Sequence, residues 1–229
     1  TSMSNKISRR TFLKCTGASA AALGAAAMLG GCGSSTSNAI EVKVGDKVSN
    51  WNNLGVQLTS VFTMSTTPDL PDHEYVAVLI TAVNRSGATT FNIGAQNLAE
   101  LDAAYPLDNE ATKIDVARQY FHALAASTTD FTATCDGAEA EVGAYIQLYN
   151  ADAQSFSEST NLPPQGSGYI ELICCVPTGW QKLNVTFVPT FVANKSLTFT
   201  LSFRYCTGLK AFFPDEIPSH GQIFPHKIL

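Results

Sequence analysis

Apolar and polar residues alternate without a break over residues 197–205, where Leu197, Phe199, Leu201, Phe203 and Tyr205 are separated by Thr198, Thr200, Ser202 and Arg204. A period of two puts one set of side chains on each face of an extended chain, so this stretch reads as a half-buried β-strand. Leu183, Val185 and Phe187 repeat the pattern up to Pro189, and Asn194, Lys195 and Ser196 supply a turn. The two segments therefore predict a hairpin. Upstream, residues 169–176 (YIELICCV) form a largely apolar run that stops at Pro177 and follows the turn residues Pro163, Pro164, Gln165 and Gly166. Residues 74–83 (EYVAVLITAV) are almost continuously apolar, as expected of a central strand. Residues 40–44 and 54–64, with Gly45 and Asp46 as a turn between them, complete an N-terminal edge. Strands at this spacing, mostly without helices between them, predict an all-β antiparallel sandwich in preference to a βαβ fold.

One segment breaks the pattern. Between Pro106 and Phe131, Ile114, Ala117, Arg118, Phe121, Leu124 and Ala125 fall at helical spacing, with Val116 and Tyr120 widening the apolar stripe. This predicts about four turns of helix, ending near residues 127–130 and docked on the core. Residues 207–229 form a C-terminal tail with several prolines and no periodicity, whose aromatics suggest packing along the domain surface. No internal repeat is present.

The N-terminal pattern is different again. Lys6, Arg9, Arg10 and Lys14 precede an Ala/Gly-rich apolar stretch over residues 18–31, and no acidic residue occurs before position 31. Gly17, Gly24, Gly30 and Gly31 oppose a buried helix, at about 1 kcal/mol each. Basic residues followed by a short apolar run fit an export signal. Residues 8–14 (SRRTFLK) resemble the twin-arginine translocation motif, carried by Arg9, Arg10 and Phe12. Residues 29–32 (LGGC) resemble a lipobox, in which the Cys32 thiol takes a diacylglycerol and becomes the new N-terminus. Acyl chains bury at about 0.8 kcal/mol per CH₂, so more than one chain anchors durably. The expected organisation is a signal peptide over residues 1–31, a flexible polar tether over 32–39, and a domain over 40–206 lipid-anchored to the extracytoplasmic face of the membrane.

Composition follows from that division. Of 229 residues, 45% are hydrophobic and 14% charged. Without residues 1–31, 10 Lys and Arg remain against 19 Asp and Glu, a net of −9. Such a surface repels phosphate backbones and anionic headgroups, which disfavours nucleic-acid binding.

Cys135, Cys174, Cys175 and Cys206 belong to the domain. Four cysteines outside the cytosol predict two disulfides, with three connectivities open. Adjacent strand residues point to opposite faces, so Cys174 and Cys175 are expected to reach separate partners, Cys135 and Cys206 in either order. Spacings of the CxxC or Cys/His kind are absent, which argues against a metal or redox site.

With these elements in view, residues 45–48 (GDKV), Tyr75 to Val78, residues 83–86 (VNRS), 162–166 (LPPQG), 168–172 (GYIEL), Val176-Pro177 and 183–189 (LNVTFVP) are similar to bacterial immunoglobulin-like lipoprotein domains of unknown function. These resemble secreted immunoprotective extracellular proteins and are called telokin-like. The resemblance covers residues 41–203 and implies an immunoglobulin-like antiparallel β-sandwich of about seven strands. Against that family pattern, residues 107–150 read as an insertion holding the helix and Cys135, and the tail beyond Cys206 has no counterpart.

Catalytic patterns are missing. His73, His122, His220 and His226 show no ligand spacing, and no GxSxG, GxGxxG or P-loop pattern occurs. His220 and His226 near Asp215 and Glu216 read as solvated tail residues. Asp69, Asp72, His73 and Glu74 cluster ahead of a strand but lack the spacing of a calcium loop. The sequons at Asn84, Asn184 and Asn194 are expected to stay bare. No catalytic residue, metal or cofactor is assigned. The leading expectation is a non-enzymatic, membrane-anchored module that binds a protein or surface ligand. The alternative is an envelope enzyme or thiol-redox accessory acting from the insertion.

Overall fold

The computed structural model describes residues 34–35, 38–64, 67–94, 113–150, 155–157 and 161–206. The signal segment with Arg9, Arg10 and Phe12, the anchor Cys32 and the tail with His220 and His226 lie outside them. The strands are β1 (Ser34–Ser35), β2 (Ala39–Lys43), β3 (Lys47–Trp51), β4 (Leu54–Thr63), β5 (His73–Asn84) and β6 (Phe91–Asn92). After helix α1 (Lys113–Ser127) come β7 (Phe131–Cys135), β8 (Ala138–Asn150), β9 (Ser155–Ser157), β10 (Asn161–Leu162), β11 (Ser167–Pro177), β12 (Lys182–Phe187) and β13 (Ser196–Ser202).

Eleven strands form one continuous sheet in the order β1-β3-β4-β5-β11-β8-β7-β12-β13-β2, with β9 attached to β8. β6 and β10 form a separate two-stranded ribbon. The sheet folds on itself because β8 serves both layers. Its start, Ala138 to Ala140, pairs with β7, and from Glu141 onward it pairs with β11. β1 and β2 occupy the two margins, and each pairs in parallel with its neighbour, β3 and β13. The turn after β2 joins that margin to β4: Gly45 donates to the Leu58 carbonyl at 3.0 Å, and Leu58 to that of Asp46 at 3.3 Å. The result is a β-sandwich close to a barrel, with more strands than the seven or so expected.

Inner faces of both layers meet in the main core, where Val56, Val78, Ile80, Leu172 and Ile146 face Val185, Phe187, Phe199 and Leu201 across Trp51 and Trp180. The predicted hairpin is present, with Leu183 opposite Leu201 and Phe187 opposite Leu197. The last residues of its second strand depart from extension: Phe203–Tyr205 form a single 3₁₀ turn. The outer face of the larger layer carries a second core, in which Tyr120, Phe121 and Leu124 of α1 cover Phe62, Tyr75, Ala77, Tyr145 and Ile173. Burial from both sides is why β5 and β11 read as continuous apolar runs rather than alternating ones. At Gly143, an added Cβ would stand 2.8 Å from Leu124 Cγ, so the missing side chain sets how closely α1 approaches β8.

Residues 131–150, expected within an insertion, are strands of the main sheet. They are β7 and β8, and β8 is the strand that joins the layers. Within the stretch expected as a tether, Ser34 pairs with Asn50, Ser35 with Trp51, and β2 begins at Ala39.

Asn84 closes β5 and is fully buried. Its amide donates to the carbonyls of Thr89 at 2.7 Å and Leu162 at 3.0 Å, and its Oδ1 accepts from Ser86 N at 2.9 Å. The sequon at this position therefore serves the fold, by tying β5 to the β6–β10 ribbon. Replacing Asn84 with Ala strands several buried polar groups, with an expected loss of about 2–3 kcal/mol read as a lower urea midpoint at unchanged slope.

Candidate functional site

The chemistry-bearing side chains of the described residues gather where α1 lies on the sheet. Register places Tyr75, Cys175 and Glu141 side by side on β5, β11 and β8. An odd-numbered register on β11 points Cys175 to this outer face, while Cys174 points into the main core. Above the row, Phe121 of α1 packs on the Tyr75 ring with centroids 4.6 Å apart.

One helical turn apart on α1, Arg118 and His122 reach the loop before β5. Arg118 donates from Nε to the Thr67 carbonyl at 2.8 Å and from Nη2 to the Pro68 carbonyl at 2.9 Å. His122 sits between two carboxylates, with Nε2 3.2 Å from Asp69 Oδ2 and Nδ1 3.0 Å from Glu141 Oε1. Its pKa is raised, chiefly by the hydrogen bond its ring donates to Glu141; desolvation opposes the shift and Asp69 adds to it. Both ring nitrogens are thus engaged, and the imidazole fastens α1 to the sheet on one side and to the loop on the other.

Deeper under the helix, the Tyr145 hydroxyl donates to Glu171 Oε2. Burial, then the charge of Glu171, raises the Tyr145 pKa well above its usual range, so the phenol stays protonated and keeps donating. Tyr75 is buried too, its hydroxyl pKa is raised first by desolvation, and that hydroxyl has no hydrogen-bond partner among the described residues.

The four cysteines carry free thiols, which corrects the expected pair of disulfides. The reason is placement. Cys135, Cys174 and Cys206 belong to the inner core, whereas Cys175 lies across the sheet under α1. Reaching any of the other three would require the strand to turn over. Burial pushes the Cys135 and Cys175 thiols up to about 11 and raises Cys174 further. Cys206 is raised as well, mainly by desolvation, and its sulfur lies 3.3 Å from Thr63 Oγ1.

The group considered for calcium is dispersed. Asp69 engages His122, the Asp72 carbonyl accepts from Thr178 N at 2.8 Å, His73 Nδ1 lies 2.8 Å from the Pro71 carbonyl, and Glu74 accepts from Trp180 Nε1 at 2.9 Å. No group of His, Cys, Asp and Glu among the described residues is arranged to hold a metal ion.

No family model matches the chain, and no curated protein matches it. Among solved structures it is similar to an uncharacterized β-sandwich protein from Clostridium difficile 630, at 8% identity and a TM-score of 0.38, covering 74% of this chain and 98% of that one.

Sequence reasoning overlooked the His122 clamp and the Tyr145–Glu171 pair. Asp69 and Glu141 lie 53 and 19 residues from His122, so no local spacing marks them. Glu171 carried a usable signal, a lone carboxylate inside an apolar strand, which demands a buried partner.

Two outcomes follow. A histidine whose folded pKa is raised contributes stability that is full below its unfolded value of about 6.5 and is lost as pH rises through the folded value. His122→Gln is therefore expected to lower stability by under about 1 kcal/mol near pH 6, the groups being partly exposed, and the gap from the unaltered chain should narrow as pH rises through the raised folded value in urea titrations. For the domain thiols, a chromogenic disulfide reagent near neutral pH should leave Cys135, Cys174 and Cys175 unmodified in the folded protein, react first at half-exposed Cys206, and modify all four after denaturation.

Proposed function

We propose that the chain is an exported, lipid-anchored domain of the immunoglobulin-like, telokin-like kind, working outside the cytoplasm as a non-enzymatic module that binds a protein or a surface ligand. The observation that carries this reading is the order of motifs in the first 35 residues. Arg9, Arg10 and Phe12 precede an apolar run, LGGC ends that run at Cys32, and the sheet begins two residues later at Ser34. A signal, a lipid acceptor and a folded domain in immediate succession suit a protein held at a membrane surface.

The chemistry under α1 supports binding over catalysis. His122 is held at both nitrogens and Cys175 is a protonated, buried thiol, so the two do not make a nucleophile and its base. A thiol-redox accessory is the second reading, favoured by the four free cysteines. Their raised pKa values and the position of Cys135 within the core weigh against it.

Cys32→Ala in the full chain is expected to move the protein from the membrane fraction to the soluble fraction, and Arg9→Lys with Arg10→Lys to retain it uncleaved inside the cell. An unchanged distribution of both variants in cell fractionation would overturn the anchored, exported reading.

A further inference from the structure

Helix α1 is fastened to the sheet by two unlike attachments. Its end is held by packing and by neutral hydrogen bonds. Leu124 sits on Gly143, and Thr128, just past the helix, accepts from the Ala144 amide at 2.8 Å and donates to the Leu124 carbonyl at 2.8 Å. None of these groups titrates. The flank one turn earlier is held by side chains that reach the loop before β5. Arg118 keeps its charge at every working pH, whereas an imidazole such as that of His122 changes charge near neutrality.

Both nitrogens of that ring face carboxylate oxygens, Nδ1 at 3.0 Å from Glu141 Oε1 and Nε2 at 3.3 and 3.2 Å from the two oxygens of Asp69. Ionised carboxylates only accept, so both contacts are hydrogen bonds only while the ring carries two N–H groups, as imidazolium. A neutral ring has one. Kept at the shorter contact, on Nδ1 toward Glu141, that N–H leaves the Nε2 lone pair against the Asp69 carboxylate, and attraction there turns to repulsion. Around the ring, the titratable and charged groups of the described residues are Glu141 on β8, Asp69 on the loop and Arg118 on α1 itself. Tyr75 on β5 and Cys175 on β11 lie close to the same carboxylates, both kept protonated chiefly by burial.

We propose that His122 is a pH-operated latch: protonated, it closes α1 against the loop at Asp69 over Tyr75 and Cys175, and on losing its proton it lets the earlier turns of the helix lift while Leu124 and Thr128 hold the end in place. The ring keeps its proton above the ordinary value of 6.5, with the hydrogen bond to Glu141 as the largest cause, so the seam parts above that value. Parting has a local reward, because the buried Tyr75 hydroxyl, without a hydrogen-bond partner while the helix is closed, gains water. His122, Asp69 and Glu141 are about half exposed, and solvent screens their contacts. A latch of that strength changes how often the seam opens several-fold and leaves the closed form dominant.

Cys175, buried beneath the helix, is the reporter. The full chain, His122→Gln and Asp69→Asn are each treated with iodoacetamide between about pH 5.5 and 9, across the imidazole range. Slow modification of Cys175 is followed by mass spectrometry, which resolves it from Cys15, Cys32 and the other domain thiols. Each rate is divided by that of the urea-unfolded chain at the same pH, which removes the ionisation of the thiol itself. The normalised rate of the unaltered chain should rise several-fold as pH passes through the His122 value, and that of His122→Gln should be high and flat. Asp69→Asn should stay slow at high pH, because an amide N–H can donate to the neutral ring. A flat rate in the unaltered chain, an equal rise in His122→Gln, or a rise in Asp69→Asn as large as in the unaltered chain overturns the latch. Should a variant fail to fold, hydrogen exchange of the unaltered chain decides. Relative to chemical exchange rates, the amides of residues 117–121 should lose protection as pH rises while that of Ala144 keeps its own, and parallel loss or none overturns the proposal.

Discussion

Burial of β5 and β11 on both faces is the constraint around which the rest of the molecule is organised. On the inner side, Val76, Val78, Ile80, Ile170, Leu172 and Cys174 belong to the core between the layers. On the outer side, Tyr75, Ala77, Ile173 and Cys175 need a second cover, which α1 provides. A sandwich ordinarily leaves its outer faces to solvent and alternates accordingly. Here one layer is the middle of a three-tier arrangement, so α1 is needed to complete the fold and is more than an ornament on it.

That requirement explains the local choices under the helix. A helix must come close to cover a strand, and the absence of a side chain at Gly143 admits Leu124. Thr128, just past the helix end, accepts the Ala144 amide at 2.8 Å and returns its own hydroxyl to the Leu124 carbonyl at 2.8 Å. Arg118 and His122 then attach the exposed flank by charge and hydrogen bonds, each individually weak in solvent. The polar groups trapped underneath are few. The Tyr145–Glu171 bond gives Oε2 of a buried carboxylate a partner, which offsets part of the cost of burying it.

The same arrangement bears on function. Among the described residues, His122 is engaged in attachment, and Cys135, Cys174 and Cys175 are held protonated by burial.

Much of this was legible along the chain. Alternation predicted β12 and β13, unbroken apolarity predicted β5 and β11, and helical spacing predicted α1, because each pattern reports how one element divides its own faces between core and solvent. Phe131, Ala133 and Cys135 also alternate, but no local signal places β7 and β8 in the main sheet, since their partners β12 and β11 are far off in sequence. β8 further blurs its own pattern by passing from one layer to the other. The rule that adjacent strand residues diverge correctly separated Cys174 from Cys175, but only the packed structure decides which side Cys135 and Cys206 occupy. The sequence by itself determined strand and helix types and the motifs before Ser34, which depend on nearest neighbours. Tertiary structure decided the shared strand, the His122 clamp and the free thiols, because each brings together residues that only the closing of the sheet makes adjacent.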